Sequence, residues 1–172
     1  MGHSASVDIP NVGRVPTPLW EQVTASHPAG LLMVSDVPGR AVFLETALAD
    51  GGPRLTCLPA DQILQEGGDA LGAPFDLAVL DLAWLAVERR EALAVIARLR
   101  DVLARRLLVG LGRQTGSEVI GVEDLRALGL TQQSISDWGQ VFLFDLYDYK
   151  RTPDWLNAKY WANPELFDKY RW

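Results

Sequence analysis

The sequence predicts an α/β fold: a Rossmann-like, mainly parallel twisted sheet with helices on both faces, a closing antiparallel hairpin and a short helical C-terminal tail. Three observations predict it. Phe75 to Leu111 reads as strand, helix, strand, a crossover of the length that joins parallel neighbours. Within it Leu77–Leu82 is apolar at every position except Asp81, the pattern of a strand covered on both faces. Strands and helices also alternate along the chain before a last pair of extended segments that no helix separates.

The elements follow in order. Residues 1–18 carry Pro10, Gly13, Pro16 and Pro18 and read as an N-terminal arm. Thr17 as an N-cap and Pro18 at the first helical position open a short helix that ends before His27-Pro28. Because His27 precedes a proline it is expected in extended backbone, as a surface histidine or, less simply, a catalytic one. Leu31–Val34 is a strand, Ser35–Gly39 a turn and Arg40–Ala49 a helix, stopped by Asp50-Gly51-Gly52-Pro53. Leu55–Leu58 is a second strand, and Asp61 is placed to cap the brief helix Gln62–Gln65.

Phe75–Leu82 is the central strand. A helix from Glu88 to Arg105 buries Leu93, Ile96, Leu99 and Leu103 with Ala92, Val95 and Val102, and places Glu88, Arg89, Glu91, Arg98, Arg100 and Arg105 mostly on the other side. Arg106–Leu111 is the next strand, and the polar Gly112–Ser117 loop follows. Val122–Leu128 is a short helix closed by Gly129. Gln132–Ser136 and Gln140–Tyr147 should pair around Trp138-Gly139. Val141–Tyr147 is apolar on both faces, so its strand is expected between others, not at the edge.

With 172 residues, 48% hydrophobic and 22% charged, one domain spanning 1–172 is expected: the arm, a Rossmann-like core over 31–147 and a tail over 148–172. A net charge of −6 argues against broad binding to nucleic acid or anionic membranes. Cys57 is the only cysteine, which excludes an intramolecular disulfide and any multi-cysteine metal site; within an apolar strand it reads as an inert core thiol. The histidines are His3, read as part of a tag remnant, and His27, too few for a histidine-rich metal cluster. No apolar run is long enough to cross a bilayer, and a cytoplasmic protein is expected.

In an open parallel sheet, ligands sit outside the carboxyl ends of the strands where strand order reverses. That rule selects Asp36, Asp61, Asp81 and the Gly112–Ser117 loop, which should share one crevice. Each acid has a structural reading as a cap or ion-pair partner and a functional one as a ligand contact. Arg113 offers a guanidinium in a glycine-rich loop, to an anion or simply to solvent.

The tail interleaves Tyr147, Tyr149, Trp155, Tyr160, Trp161, Phe167, Tyr170 and Trp172 with Lys150, Arg151, Lys159, Lys169 and Arg171. Thr152-Pro153-Asp154 and Asn163-Pro164-Glu165 each place a cap before a proline, predicting two short helices. Trp155, Tyr160, Trp161 and Trp172 either cover the domain or form a recognition surface. Since nearby acids nearly cancel the charge, a protein ranks above nucleic acid as the partner.

The alternation of elements, Phe75-Asp76-Leu77-Ala78-Val79-Leu80-Asp81, and Leu125–Leu130 leading into Thr131–Leu146 resemble the class I S-adenosylmethionine (SAM)-dependent methyltransferases over roughly residues 31–147. The resemblance implies SAM as cofactor, with Asp36, Gly39, Asp61 and Asp81 around it. Where that family carries Asp/Glu-x-Gly-x-Gly-x-Gly after its first strand, this chain has Ser35-Asp36-Val37-Pro38-Gly39-Arg40, with one glycine and a proline that lacks an N–H. The expectation is therefore a methyltransferase-like domain that binds a protein or small ligand without catalysis and without a cofactor. The alternative is a SAM-dependent methyltransferase with an atypical cofactor loop.

Overall fold

The computed structural model describes residues 15–37, 52–113 and 120–149. The predicted helix over Arg40–Ala49 and the tail helices lie outside these residues.

Six strands form one sheet: β1 Gly30–Val34, β2 Arg54–Leu58, β3 Phe75–Asp81, β4 Ala104–Gly112, β5 Thr131–Ile135 and β6 Gly139–Asp145. Their order is β2-β1-β3-β4-β6-β5. The first four are parallel, with Leu31 beside Leu77 and Leu77 beside Arg106, and β6 runs antiparallel to both β4 and β5. This is the expected α/β sheet with its closing hairpin, and β6 is inserted between β4 and β5 as its two apolar faces require.

Alternate residues of each strand enter opposite layers. Leu32, Val34, Ala78, Leu80, Leu107 and Val109 meet α2 (Ala60–Gln65), α3 (Arg89–Arg98) and α4 (Val122–Ala127). Leu31, Met33, Leu77, Val79 and Leu108 meet α1 (Thr17–Ala25) through Leu19 and Val23, together with Trp84. Leu19, Leu31, Leu77 and Leu80 are fully buried, each contributing about 1.5–3 kcal/mol relative to exposure. On the α1 face Trp138 folds back from the hairpin tip over β4. A Cβ at Gly110 would lie 2.8 Å from its ring, so the absent side chain is what admits the indole.

Several boundaries differ from expectation for local reasons. Helix α1 begins at Thr17, after a Pro16 that provides no side-chain cap, so Thr17 is inside the helix and not its N-cap. Helix α3 closes with a π-helical turn, Leu99–Leu103, and β4 starts at Ala104. The wider turn keeps Leu99 and Leu103 fully buried and swings Val102 out to 53% exposure. Arg98 and Arg100, expected on the solvent side, reach inward. Arg98 donates to the Glu66 carbonyl; Arg100 donates to the Leu128 carbonyl and lies 5.6 Å from the centre of the Phe144 ring. Strand β3 ends at Asp81, and Leu82–Trp84 is a 3₁₀ turn. Strand β6 stops at Asp145, whose carboxylate accepts from the Tyr147 N–H as a helical turn, α5 (Leu146–Tyr149), begins.

Helix α4 ends as predicted. Gly129 adopts φ +81°, the Leu130 N–H donates to the Leu125 carbonyl, and the Gly129 N–H donates to that of Arg126. This is the paired closure of a Schellman motif. At the far edge, β5 is polar and its register slips between Gln132 and Ser134, a bulge that breaks the regular edge.

Candidate functional site

The chain leaves β1 for β2 on one side and returns to β3 on the other. Strand order therefore reverses at the carboxyl ends of β1 and β3, where an open α/β sheet presents its crevice. Asp36 lies two residues beyond β1, and Asp81 is the last residue of β3. Asp61, in the first turn of α2, belongs to the same end of the sheet, as does Arg113, the residue after β4. Gly39 lies outside the described residues, as do Trp155, Tyr160, Trp161 and Trp172.

The described N–H groups leaving β1 are all engaged. The Ser35 N–H donates to the Leu58 carbonyl at 3.0 Å and the Asp36 N–H to the Trp84 carbonyl at 2.9 Å. The Val37 N–H donates to Ser35 Oγ at 3.2 Å, and Pro38, next in sequence, has no N–H. The Asp36 carboxylate is engaged as well: Oδ1 accepts from the Ala60 N–H and Oδ2 from the Ala86 N–H, both at 2.8 Å. One side chain thus ties the exit of β1 to the start of α2 and to the segment after β3. Each of its oxygens can still accept one more hydrogen bond.

This arrangement corrects the expectation for Asp61. Pro59 precedes α2 and offers no side-chain acceptor, and among the described residues Asp61 accepts only from the adjacent Gln62 N–H, at 2.8 Å. The cap arrives from Asp36, twenty-four residues earlier in the chain. Asp81 is 2% exposed, and its Oδ1 accepts from the Ala83 N–H at 2.9 Å, capping the 3₁₀ turn.

A cavity of about 270 Å³ opens at the carboxyl end of β4. Leu111, Ile120, Val122 and Ile135 supply apolar wall; Arg113 and Gln140 supply the polar groups. Gly112 and Gly139 are register partners on its floor. A Cβ on Gly139 would run into the Leu111 carbonyl oxygen, so this glycine lets the hairpin close onto β4. The Arg113 N–H donates to the Trp138 carbonyl at 2.9 Å. The wall formed by α4 is braced at its base, where Asp124 accepts from the Gly121 N–H at 2.9 Å and pairs with Arg89 at 2.5 Å. The Gly121 N–H and the Arg89 guanidinium together hold the Asp124 carboxyl below its ordinary pKa, against a smaller opposing effect of burial.

The opposite end of the sheet carries a second concavity, of about 400 Å³, lined by His27, Asp76, Arg105 and Tyr147 among others. His27 is not in extended backbone: its φ is +42°. It follows the last turn of α1, where a left-handed residue commonly ends a helix, and that demand outweighs the preference imposed by Pro28. The Asp76 carboxylate accepts from the Ala29 and Gly30 N–H groups, each at 3.0 Å. Cys57 lies in β2 beside Met33. No cluster of three or more metal-ligating side chains occurs among the described residues, and none of their helices is long and apolar enough to cross a membrane.

Sequence reasoning places Arg113 correctly at the sheet end but misses Ile120, Val122, Ile135 and Gln140 as its companions. One signal was available. Thr131-Gln132-Gln133-Ser134 is polar throughout and Ile135, 70% exposed, breaks that pattern at the lip of the cavity.

The fold is similar to that of the magnesium protoporphyrin IX methyltransferase of Synechocystis PCC 6803. Against its structure with bound SAM the identity is 14%, covering 72% of this chain and 73% of that one, with a TM-score of 0.42. Against its structure with bound SAH the values are 15%, 72%, 77% and 0.43. No curated protein matches the sequence. A family model described as a family of unknown function, DUF6231, matches residues 15–172. The chain, over all but its first fourteen residues, belongs to that family.

Proposed function

We propose that this chain is a methyltransferase-like domain that acts by binding a small ligand or a protein and does not transfer methyl groups. One observation carries the reading. A sulfonium cofactor held at the mouth of the first strand needs main-chain donors that can approach it. Here the N–H groups of Ser35, Asp36 and Val37 are all spent within the protein and Pro38 has none. Among the described residues, Ser35–Val37 leave no main-chain N–H for SAM in the manner of the class I enzymes.

Calorimetric titration of the full chain with SAM and with SAH tests this. The expected result is no heat of binding for either at micromolar concentration. Micromolar binding of either, abolished in Asp81→Asn, would replace the reading with its alternative. That alternative is a methyltransferase whose cofactor rests against the carboxylates of Asp36 and Asp81. Methyl transfer needs little beyond positioning, so cofactor binding is the decisive measurement.

A further inference from the structure

We infer that the cavity at the carboxyl end of β4 binds a small aliphatic carboxylate, its hydrocarbon part against Leu111, Val122 and Ile135 and its head on Arg113. The inference rests on the binding-domain reading above and names the ligand class. Three aliphatic side chains with exposed surface, Leu111, Val122 and Ile135, meet here around about 270 Å³, with the fully buried Ile120 in the core behind them, a volume suited to a short chain. Sites for small molecules are mostly apolar with a few convergent polar groups that fix orientation. Arg113 is the cationic side chain among the lining residues, and no described residue accepts a hydrogen bond from its guanidinium or forms an ion pair with it. Its main chain is fixed, since its N–H is held by the Trp138 carbonyl. Gln140 adds a carboxamide with no hydrogen bond to any described residue. The planar guanidinium fork matches a carboxylate in geometry as well as charge. Ile135 stands 70% exposed at the lip, and a bound chain would cover it.

The cavity lies beside β4 and β6, two strands away from the β1 exit, so the two sites can be probed separately. The experiment is an amide NMR titration of the full chain with octanoate, with octylammonium and 1-octanol as controls. Octanoate is expected to shift the resonances of Leu111–Arg113, Gly121 and Ile135–Gln140, octanol to do so more weakly, and octylammonium not to. Arg113→Gln should weaken octanoate about five- to ten-fold, the worth of one charge-assisted contact near solvent, and leave octanol unchanged. Ile135→Ser, which alters an exposed position, should weaken both. Absence of shifts at millimolar octanoate, equal binding of octylammonium, or an unchanged octanoate affinity in Arg113→Gln would each overturn the inference. A chain that ignores both octanoate and SAM loses only this ligand class, whereas SAM binding at the β1 exit overturns the underlying reading.

Discussion

Asp36 is the side chain whose removal tests the architecture of the strand-end crevice most directly. In Asp36→Ala two charge-assisted acceptors disappear, and their costs differ. The Ala60 residue is fully buried, and its N–H would be left without a partner at the start of α2, a loss of about 1–3 kcal/mol. That figure includes the usual N-cap effect of about 1 kcal/mol. The bond to the Ala86 N–H is exposed, so water replaces it and the loss there is about 0.5 kcal/mol. The sum is a destabilisation of about 1.5–3.5 kcal/mol. With a urea slope of about 2 kcal/mol/M the midpoint should fall by about 1 M, with the slope unchanged. Asp36→Asn retains one acceptor but turns an amide NH₂ toward one of the two donors, and should lose about half as much. Equilibrium urea unfolding followed by fluorescence measures both. A loss within about 0.5 kcal/mol for Asp36→Ala, the range of an ordinary surface change, would refute the role of Asp36 in joining the three loops.

Two further outcomes follow from the packing around the cavity. The Asp124 carboxyl is held below the ordinary value of 3.8, so its contribution is fully present above that pH and fades as pH falls through its lowered value. Asp124→Asn should cost about 1 kcal/mol at neutral pH, and the gap from wild type should close as unfolding is repeated at successively lower pH below 3.8. A gap independent of pH would sever the link to the ionised form. Gly139→Ala should lower the melting temperature by about 10 °C or more, because the new methyl group meets the Leu111 carbonyl and β6 must lift from β4. A melt within a degree or two of wild type would mean that the hairpin does not close as described.

The parallel core is legible because burial on two faces leaves a plain mark in sequence. Unbroken apolar runs such as Leu31–Val34, Leu77–Leu80 and Val141–Phe144 suit a strand with cover on both sides and little else. The Gly129 stop is legible because its chemistry is local: a left-handed residue directly after a helix favours glycine. What stays hidden is long-range. Nothing around Ala60 reveals that its cap comes from Asp36, since that bond exists only once β1 and β2 are side by side. The bend of His27 escapes for a similar reason, a neighbour rule yielding to the demand of a helix end. The π turn after Arg98 is invisible because an apolar spacing of three and four suits both kinds of turn, and only the sheet decides where Val102 goes. The sheet-end acids can be selected by topology alone, but their hydrogen bonds cannot, and those bonds carry the functional reading.

The junction of α3 and β4 has one more implication. The π turn ends at Leu103 and the strand begins at Ala104, so the crossover returns to the sheet with no slack. An added or deleted residue there would rotate every β4 side chain onto the opposite face, carrying Arg106 into the layer that Leu107 and Val109 fill. Natural length variation among relatives should therefore avoid this seam.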